Sequence, residues 1–482
     1  MLAGLSPRPS ANQPGTPPPL DKAASARHYA AMIAMPCRWT IVRTVAAVSL
    51  LAMPALARDA APATPQAVSA EAATTALADL ARDFVPLALE VGTLEPEYVD
   101  AYYGPAALRT AAQAHPRTRA QLQQAAGAAV TRLDSLIPAL GDSQAIARAR
   151  ALRGFYKAAA TRLAMIGGAR FTFEDEAEGL FGIRPVIRPL TDYDPILAEL
   201  ERLVPGPGPL AARVDAFQER FIIPADRLRP VMEAAIAQCR RRTLAHFDLP
   251  AGESFDLGFV TGKPWSGYNY YKGDYHSRIE VNTDLPVRIG RAVDLGCHEG
   301  YPGHHVLNIM IERNLVGARG WREYEVSPLY APQSLISEGS ANYGIELAFP
   351  GAQRLAFERD VLFPLAGLDP AQAERLAAVR AATEALAGAR NTIAQRYLDG
   401  EIDRAAALRL LQTYQLVSPE RAAQSLGFIE HYRSYVINYS IGKDLVRAYV
   451  EHGAPDEATR WTRMGHVLSD AMLPEDLAAA AQ

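Results

Sequence analysis

Apolar side chains recur at three- and four-residue intervals through most of this chain, and only one block, Ser254 to Pro286, breaks that rhythm. Leu77, Leu80, Ala81 and Phe84 set the pattern before Pro86 disturbs it. Leu122, Ala126, Ala129, Leu133 and Leu136 repeat it, as do Leu152, Phe155, Ala159, Leu163 and Ile166 ahead of a Gly167-Gly168 stop. Asp194 before Pro195 predicts an N-cap with proline at the first helical position, and Pro205-Gly206-Pro207-Gly208-Pro209 closes that helix. The exceptional block is aromatic and alternating, with Phe255, Leu257 and Phe259, then Tyr268 to Tyr271, then Ile279 and Val281 before Asn282, and it predicts strands. From Ile289 the helical spacing returns, with Gly400, Pro419 and Gly453 as boundaries. The predicted fold class is mainly α, of the α+β kind, with a small β-sheet preceding the motif helix.

A chain of 482 residues, 49% of them hydrophobic, can bury a large core. Two lobes are expected, a helical one over 76–250 and one over 251–482 that carries the sheet, the motif and the C-terminal helices. Residues 1–34, rich in Pro, Ser and Ala, read as a disordered or mis-started extension. Arg38 and Arg43 then precede the apolar run Thr44 to Leu56, which ends in Ala55-Leu56-Ala57 and predicts a signal peptide over 35–57 followed by a linker over 58–75. That run falls short of the ~20 residues a membrane span needs, and no later segment reaches that length. The expectation is therefore a periplasmic or secreted protein without an integral membrane segment after signal cleavage. Lys plus Arg number 49 against 53 for Asp plus Glu, so the net charge of -4 supplies no basic field for a nucleic acid. Beyond the signal only Cys239 and Cys297 remain, too few for a disulfide-dense scaffold, and Cys297 reads as a small buried residue.

The run His298-Glu299-Gly300-Tyr301-Pro302-Gly303-His304-His305 concentrates three histidines in eight residues, where ten in the whole chain would place about 0.17 in such a window. Imidazoles beside a carboxylate supply neutral nitrogen ligands and a proton acceptor, the requirements of a zinc hydrolase. The simple HExxH spacing is absent, because Pro302 stands four residues after His298. A straight helix would hold His298 and His304 about 9 Å apart, too far for two bonds to one ion. The helix must deform, and Pro302-Gly303 is the place for it. His304 then closes the site with the smaller distortion; His305 is the alternative, with one more residue to absorb. Downstream, Glu338 would add a carboxylate oxygen, and Asn342 one turn later would orient a ligating histidine.

These residues resemble a bacterial secreted family of unknown function, numbered 885, whose signature is HExxPGHH followed by a Glu-Gly motif and which looks like a distant relative of the gluzincin metallopeptidases. The signature matches at His298, Glu299, Pro302, Gly303, His304 and His305, and the second motif at Glu338, Gly339, Ala341 and Tyr343. Tyr439-Ser440-Ile441-Gly442 is a looser third match. The chain has Leu307 and Ser340 where the family often has Gln and Trp, changes that bear on substrate contacts. The resemblance implies a mostly helical, zincin-like fold with a zinc-hydrolase site.

The mechanism expected of such a site has zinc held by His298, His304 and Glu338, with a water whose pKa falls to about 7. Glu299 is the general base, and Tyr439, on a helix expected from Glu430 to Tyr449, is the oxyanion donor, with Tyr435 one turn earlier as the reserve. The strand His276 to Asn282 reads as an exposed edge for an extended peptide, flanked by Tyr268 to Tyr271. Arg433 and Lys443 are the candidates for gripping a substrate carboxylate. The expected activity is zinc-dependent hydrolysis of a peptide or small amide. A non-peptide amide or ester hydrolase and a non-catalytic binding module with a vestigial site are the alternatives. Two histidines and a carboxylate also suit iron, for which Glu346 is the only obvious further carboxylate.

Overall fold

The computed structural model describes residues 69–480 with the exception of 264, and over them the protein is mainly helical with small sheets. The expected extension, the signal segment and the first part of the linker lie outside the described residues. The end of the linker, by contrast, is helical. Helix α1 (Ala70–Leu94) starts there because the Ser69 side chain accepts from the Ala72 amide at 3.2 Å and Ala73 is already in the core. Nor does Pro86 interrupt α1. Leu87, Ala88, Leu89 and Val91 beyond it are all buried, and at about 1.5–3 kcal/mol per large side chain their burial outweighs the ~3 kcal/mol cost of an internal proline. The next two expected apolar stripes are buried as read, apart from Ile166, which remains 36% exposed at the end of its helix. Asp194 begins its helix rather than capping it, and its carboxylate accepts from the Tyr414 hydroxyl at 3.0 Å.

A short strand that the helical reading missed, β1 (Val99–Tyr102), lies just after α1. The alternating block forms β2 (Ser254–Val260), β3 (Gly267–Gly273) and β4 (His276–Asn282) in the order β2-β4-β3, with β4 parallel to β2 and antiparallel to β3. This corrects the expected free edge: β4 is the central strand, Ile279 and Val281 are buried, and both its ladders are occupied. The outer strand on the motif side is β3. A further strand, β5 (Val326–Pro328), pairs antiparallel with β1.

Four other features carry the site. Helix α2 (Leu228–Leu244) brings Cys239 to Cys297, and the two form a disulfide with Cα atoms 5.4 Å apart, so Cys297 is a bridge partner rather than a free buried thiol. Helix α3 (His304–Ile311) opens on the motif histidines. Helix α4 (Pro332–Ala348) crosses a C-terminal helix at a pair of glycines. The long helix expected from Glu430 to Tyr449 is in fact two, α5 (Pro419–Tyr432) and α6 (Ile437–Glu451), separated by a 3-10 turn over Arg433–Val436 that Arg433 enters at φ 55°. Among the described residues no helix is long and apolar enough to cross a membrane.

Where α4 meets α6, a Cβ on Gly339 would lie 2.4 Å from the Gly442 carbonyl oxygen, and one on Gly442 would lie 2.6 Å from the Leu335 carbonyl oxygen. The helices touch backbone to backbone. Gly339 follows Glu338, and Gly442 lies three residues beyond Tyr439, so this contact brings the two looser motifs of the sequence together.

Candidate metal centre

The helix carrying the motif deforms where the spacing requires it. An α-helical stretch, Gly290–Leu295, widens into a π-helical turn, Gly296–Gly300, and three non-helical residues follow before α3 restarts at His304. The Gly303 amide donates to the Cys297 carbonyl at 3.0 Å. A Cβ on Gly303 would fall 1.8 Å from the His298 carbonyl oxygen, so only glycine lets the chain fold back this tightly.

The result is convergence. His298 Nε2 and His304 Nε2 are 3.1 Å apart, Glu338 Oε2 is 3.4 Å from the first and 3.9 Å from the second, and all three ligand atoms lie within 4.8 Å of one another. Atoms bonded at about 2.0–2.1 Å to one tetrahedral zinc sit roughly 3.3 Å from each other, which is the size of this triangle. Glu338 Oε2 is buried with no hydrogen-bond partner among the described residues, an arrangement costly unless a cation or donor meets it. The other oxygen, Oε1, accepts from the Tyr435 hydroxyl at 3.0 Å, and His304 Nδ1 faces the Ser337 hydroxyl at 3.1 Å. Those contacts leave Oε2 and both Nε2 atoms pointing into one space, and the donor set fits a divalent metal.

Electrostatics separate the four groups. Burial, reinforced by the positive character of His298, pushes His304 down to about 4, which keeps its ring neutral. Burial opposes charge on His298 too, but Glu338 and Glu299 outweigh it and raise its pKa. Burial also opposes ionisation of Glu338, yet the two histidines and Tyr435 hold it below the usual carboxylate range. Glu299, 5% exposed, is pushed up to about 7, first by burial and then by the Glu338 charge, with His298 opposing. It is a proton acceptor poised near neutrality.

The remaining sequence candidates divide. Tyr439 is partly exposed and, among the described residues, its hydroxyl has no hydrogen-bond partner; burial first, and then the Glu338 and Glu299 charges, raise its pKa, with Arg390 opposing. Tyr435 is not a free donor, because its hydroxyl is committed to Glu338. His305 is not a ligand: it is fully buried, with Nδ1 2.8 Å from the Ser277 hydroxyl and Nε2 3.0 Å from Glu253, a carboxylate also paired with Arg240 at 2.6 Å. His305→Ala is accordingly expected to cost about 2 kcal/mol of stability in a denaturant titration while metal content, read by elemental analysis, stays at the wild-type value.

Asn342 does not orient a histidine; its amide donates to the Glu338 carbonyl of its own helix at 2.8 Å. Arg433 does not face a substrate. Its Nε donates to buried Glu176 at 2.6 Å, and the same carboxylate accepts from the Ser434 amide and hydroxyl, which pins the turn that presents Tyr435. Lys443 is paired with Glu346 at 3.1 Å, an ion pair that Arg447 shares, so Glu346 adds nothing to the metal centre. The Asn282 amide is used on the Lys263 and Trp265 carbonyls, at 2.9 and 3.0 Å.

Sequence reasoning missed Asn269 on β3, whose amide donates to the Glu299 carbonyl at 2.7 Å. It also missed Arg390, whose Nε is buried without a hydrogen-bond partner among the described residues and whose charge acts on Tyr439. The only signal for Asn269 was a polar residue alternating among tyrosines, and for Arg390 there was none.

No protein-family model matches the sequence, and no curated protein matches it. Similar solved structures include a provisionally assigned lipoprotein from Colwellia psychrerythraea, at 15% identity over 85% of this chain and 75% of that one, with a TM-score of 0.47. They also include an M32 carboxypeptidase from Deinococcus radiodurans R1, at 14% identity over 85% of this chain and 95% of that one, with a TM-score of 0.37. Both likenesses are distant.

Proposed function

We propose that the protein is a zinc-dependent hydrolase, and specifically a peptidase, in which His298, His304 and Glu338 hold the metal. The observation that carries this reading is the convergence of His298 Nε2, His304 Nε2 and the orphaned Glu338 Oε2 beside the buried carboxyl of Glu299. A zinc ion there would polarise a carbonyl and lower the pKa of water to about 7. Glu299 takes the proton of the attacking water and returns it to the departing amine. The free hydroxyl of Tyr439 donates to the oxygen that becomes negative on the substrate carbonyl. Tyr435 and Ser337 hold the carboxylate and one imidazole in place.

The outer strand β3 supports a peptide over a small amide. It passes the base, through Asn269, and its outer edge, which has no strand partner among the described residues, is suited to an extended backbone. The Cys239–Cys297 bridge is compatible with the proposed export to the periplasm or medium.

The test is elemental analysis of the chain after zinc-replete expression, combined with a peptide-mixture digest followed by mass spectrometry. One zinc per chain, with cleavage that stops on chelation and returns with zinc, is the expected result. A chain free of stoichiometric metal overturns it.

A further inference from the structure

Close to Glu299 lies a cavity of about 240 Å³ whose wall is cationic. Lys263, Arg288, Arg291 and Arg421 line it, and the only carboxylate among the described lining residues is Asp284. That carboxylate is engaged by the Gly262 and Lys263 amides, at 2.7 and 3.3 Å. Arg288 is neutralised by Asp215 at 2.6 Å. Lys263 and Arg421 have no ion-pair partner among the described residues. Arg291 donates to the neutral Ser266 hydroxyl at 3.1 Å, and its one ion pair among the described residues is a long contact with Asp294, at 3.5 Å, an acid held more closely by Arg354, at 2.7 Å. Three cations therefore face one small space with their charge largely unspent, an arrangement that favours an anion.

The cavity adjoins the chemistry. Leu295 lines it, and a side chain on Gly267 would meet Leu295 Cδ2 at 2.6 Å and Glu299 Oε1 at 3.0 Å, so the cavity wall and the base border the same point on β3. Arg291, Leu295 and Glu299 also follow one another at four-residue spacing along the motif helix. The volume is below the roughly 300–1,000 Å³ of pockets for drug-sized ligands, so the space suits a single residue-sized group.

We infer that this cavity is a subsite for a carboxylate that the substrate carries next to the scissile bond, gripped by Arg291, Arg421 and Lys263. The inference rests on the peptidase reading above and names its substrate class: peptides with an anionic group there. That group is either the C-terminal carboxylate or an Asp or Glu side chain. It also replaces Arg433 and Lys443, both occupied elsewhere, as the residues that read substrate charge.

The test uses the zinc-loaded chain and two matched pairs of acetylated peptides. One pair differs only in a free or amidated C-terminus; the other, amidated throughout, differs in Glu against Gln beside the cleaved bond. The anionic member of at least one pair is expected to show a kcat/KM roughly 10- to 100-fold higher, as charge-assisted hydrogen bonds imply. The pair that responds identifies the source of the carboxylate. The ratio should fall toward one in Arg291→Gln, Arg421→Gln and Lys263→Met, and should shrink as salt is added. Ratios near one in the wild-type chain, with both peptides cleaved, overturn the subsite and leave the peptidase reading standing. If the zinc-loaded chain cleaves no peptide, the peptidase reading falls, and calorimetric binding of the same pairs to Glu299→Gln decides the subsite: tighter binding of the anionic member sustains it, and equal affinities overturn it.

Discussion

Glu299→Gln is expected to lower peptide hydrolysis by roughly 10²- to 10⁴-fold, the contribution of a positioned general base, with bound metal unchanged. The separation of the two readouts follows from the geometry. The three atoms that converge belong to His298, His304 and Glu338, and the Glu299 carboxyl is not among them. Gln is close to Glu in shape, and the Glu299 backbone stays anchored by Asn269. What disappears is a group held near 7 that can accept and return a proton. Turnover and metal content measured on one preparation decide the matter. Undiminished turnover removes Glu299 from the mechanism, whereas loss of metal would mean that its carboxylate is a ligand.

Gly442→Ala, and independently Gly339→Ala, should destabilise the protein by about 3 kcal/mol or more, at or beyond the upper end of the usual cost of overpacking. An added methyl at either position meets backbone within 2.4 to 2.6 Å, and backbone cannot rotate away as a flexible side chain would. Relief requires α4 and α6 to separate, which moves Glu338 away from Tyr435 and Tyr439. Denaturant unfolding and zinc affinity are therefore expected to suffer together. A variant with wild-type stability and weakened zinc binding would contradict this coupling.

Much of this architecture was legible because each feature leaves a local trace. Leu122 to Leu136 announce a buried helical stripe, and the alternating block announces three strands at nearly the observed positions. The need for a bend between His298 and His304 followed from the rise of a helix alone, and that argument also favoured His304 over His305. What was not legible depends on partners far away in sequence. Strand order decides whether β4 is an edge, and nothing local encodes it. Arg433 and Lys443 looked available because their acids, Glu176 and Glu346, lie at distant positions in the chain. The continuity of α1 through Pro86 was set by burial on its far side, a tertiary effect that a local breaker rule does not see.

The bridge between Cys239 and Cys297 closes a ring of main chain across a sequence separation of 58, and that ring contains β2, β3 and β4, the whole sheet against which Glu299 is set. A single cut by another protease anywhere within it opens the backbone without freeing either piece. Surroundings rich in proteolytic enzymes could nick this part of the molecule and still leave its working parts tethered, a form of damage tolerance the rest of the described chain lacks.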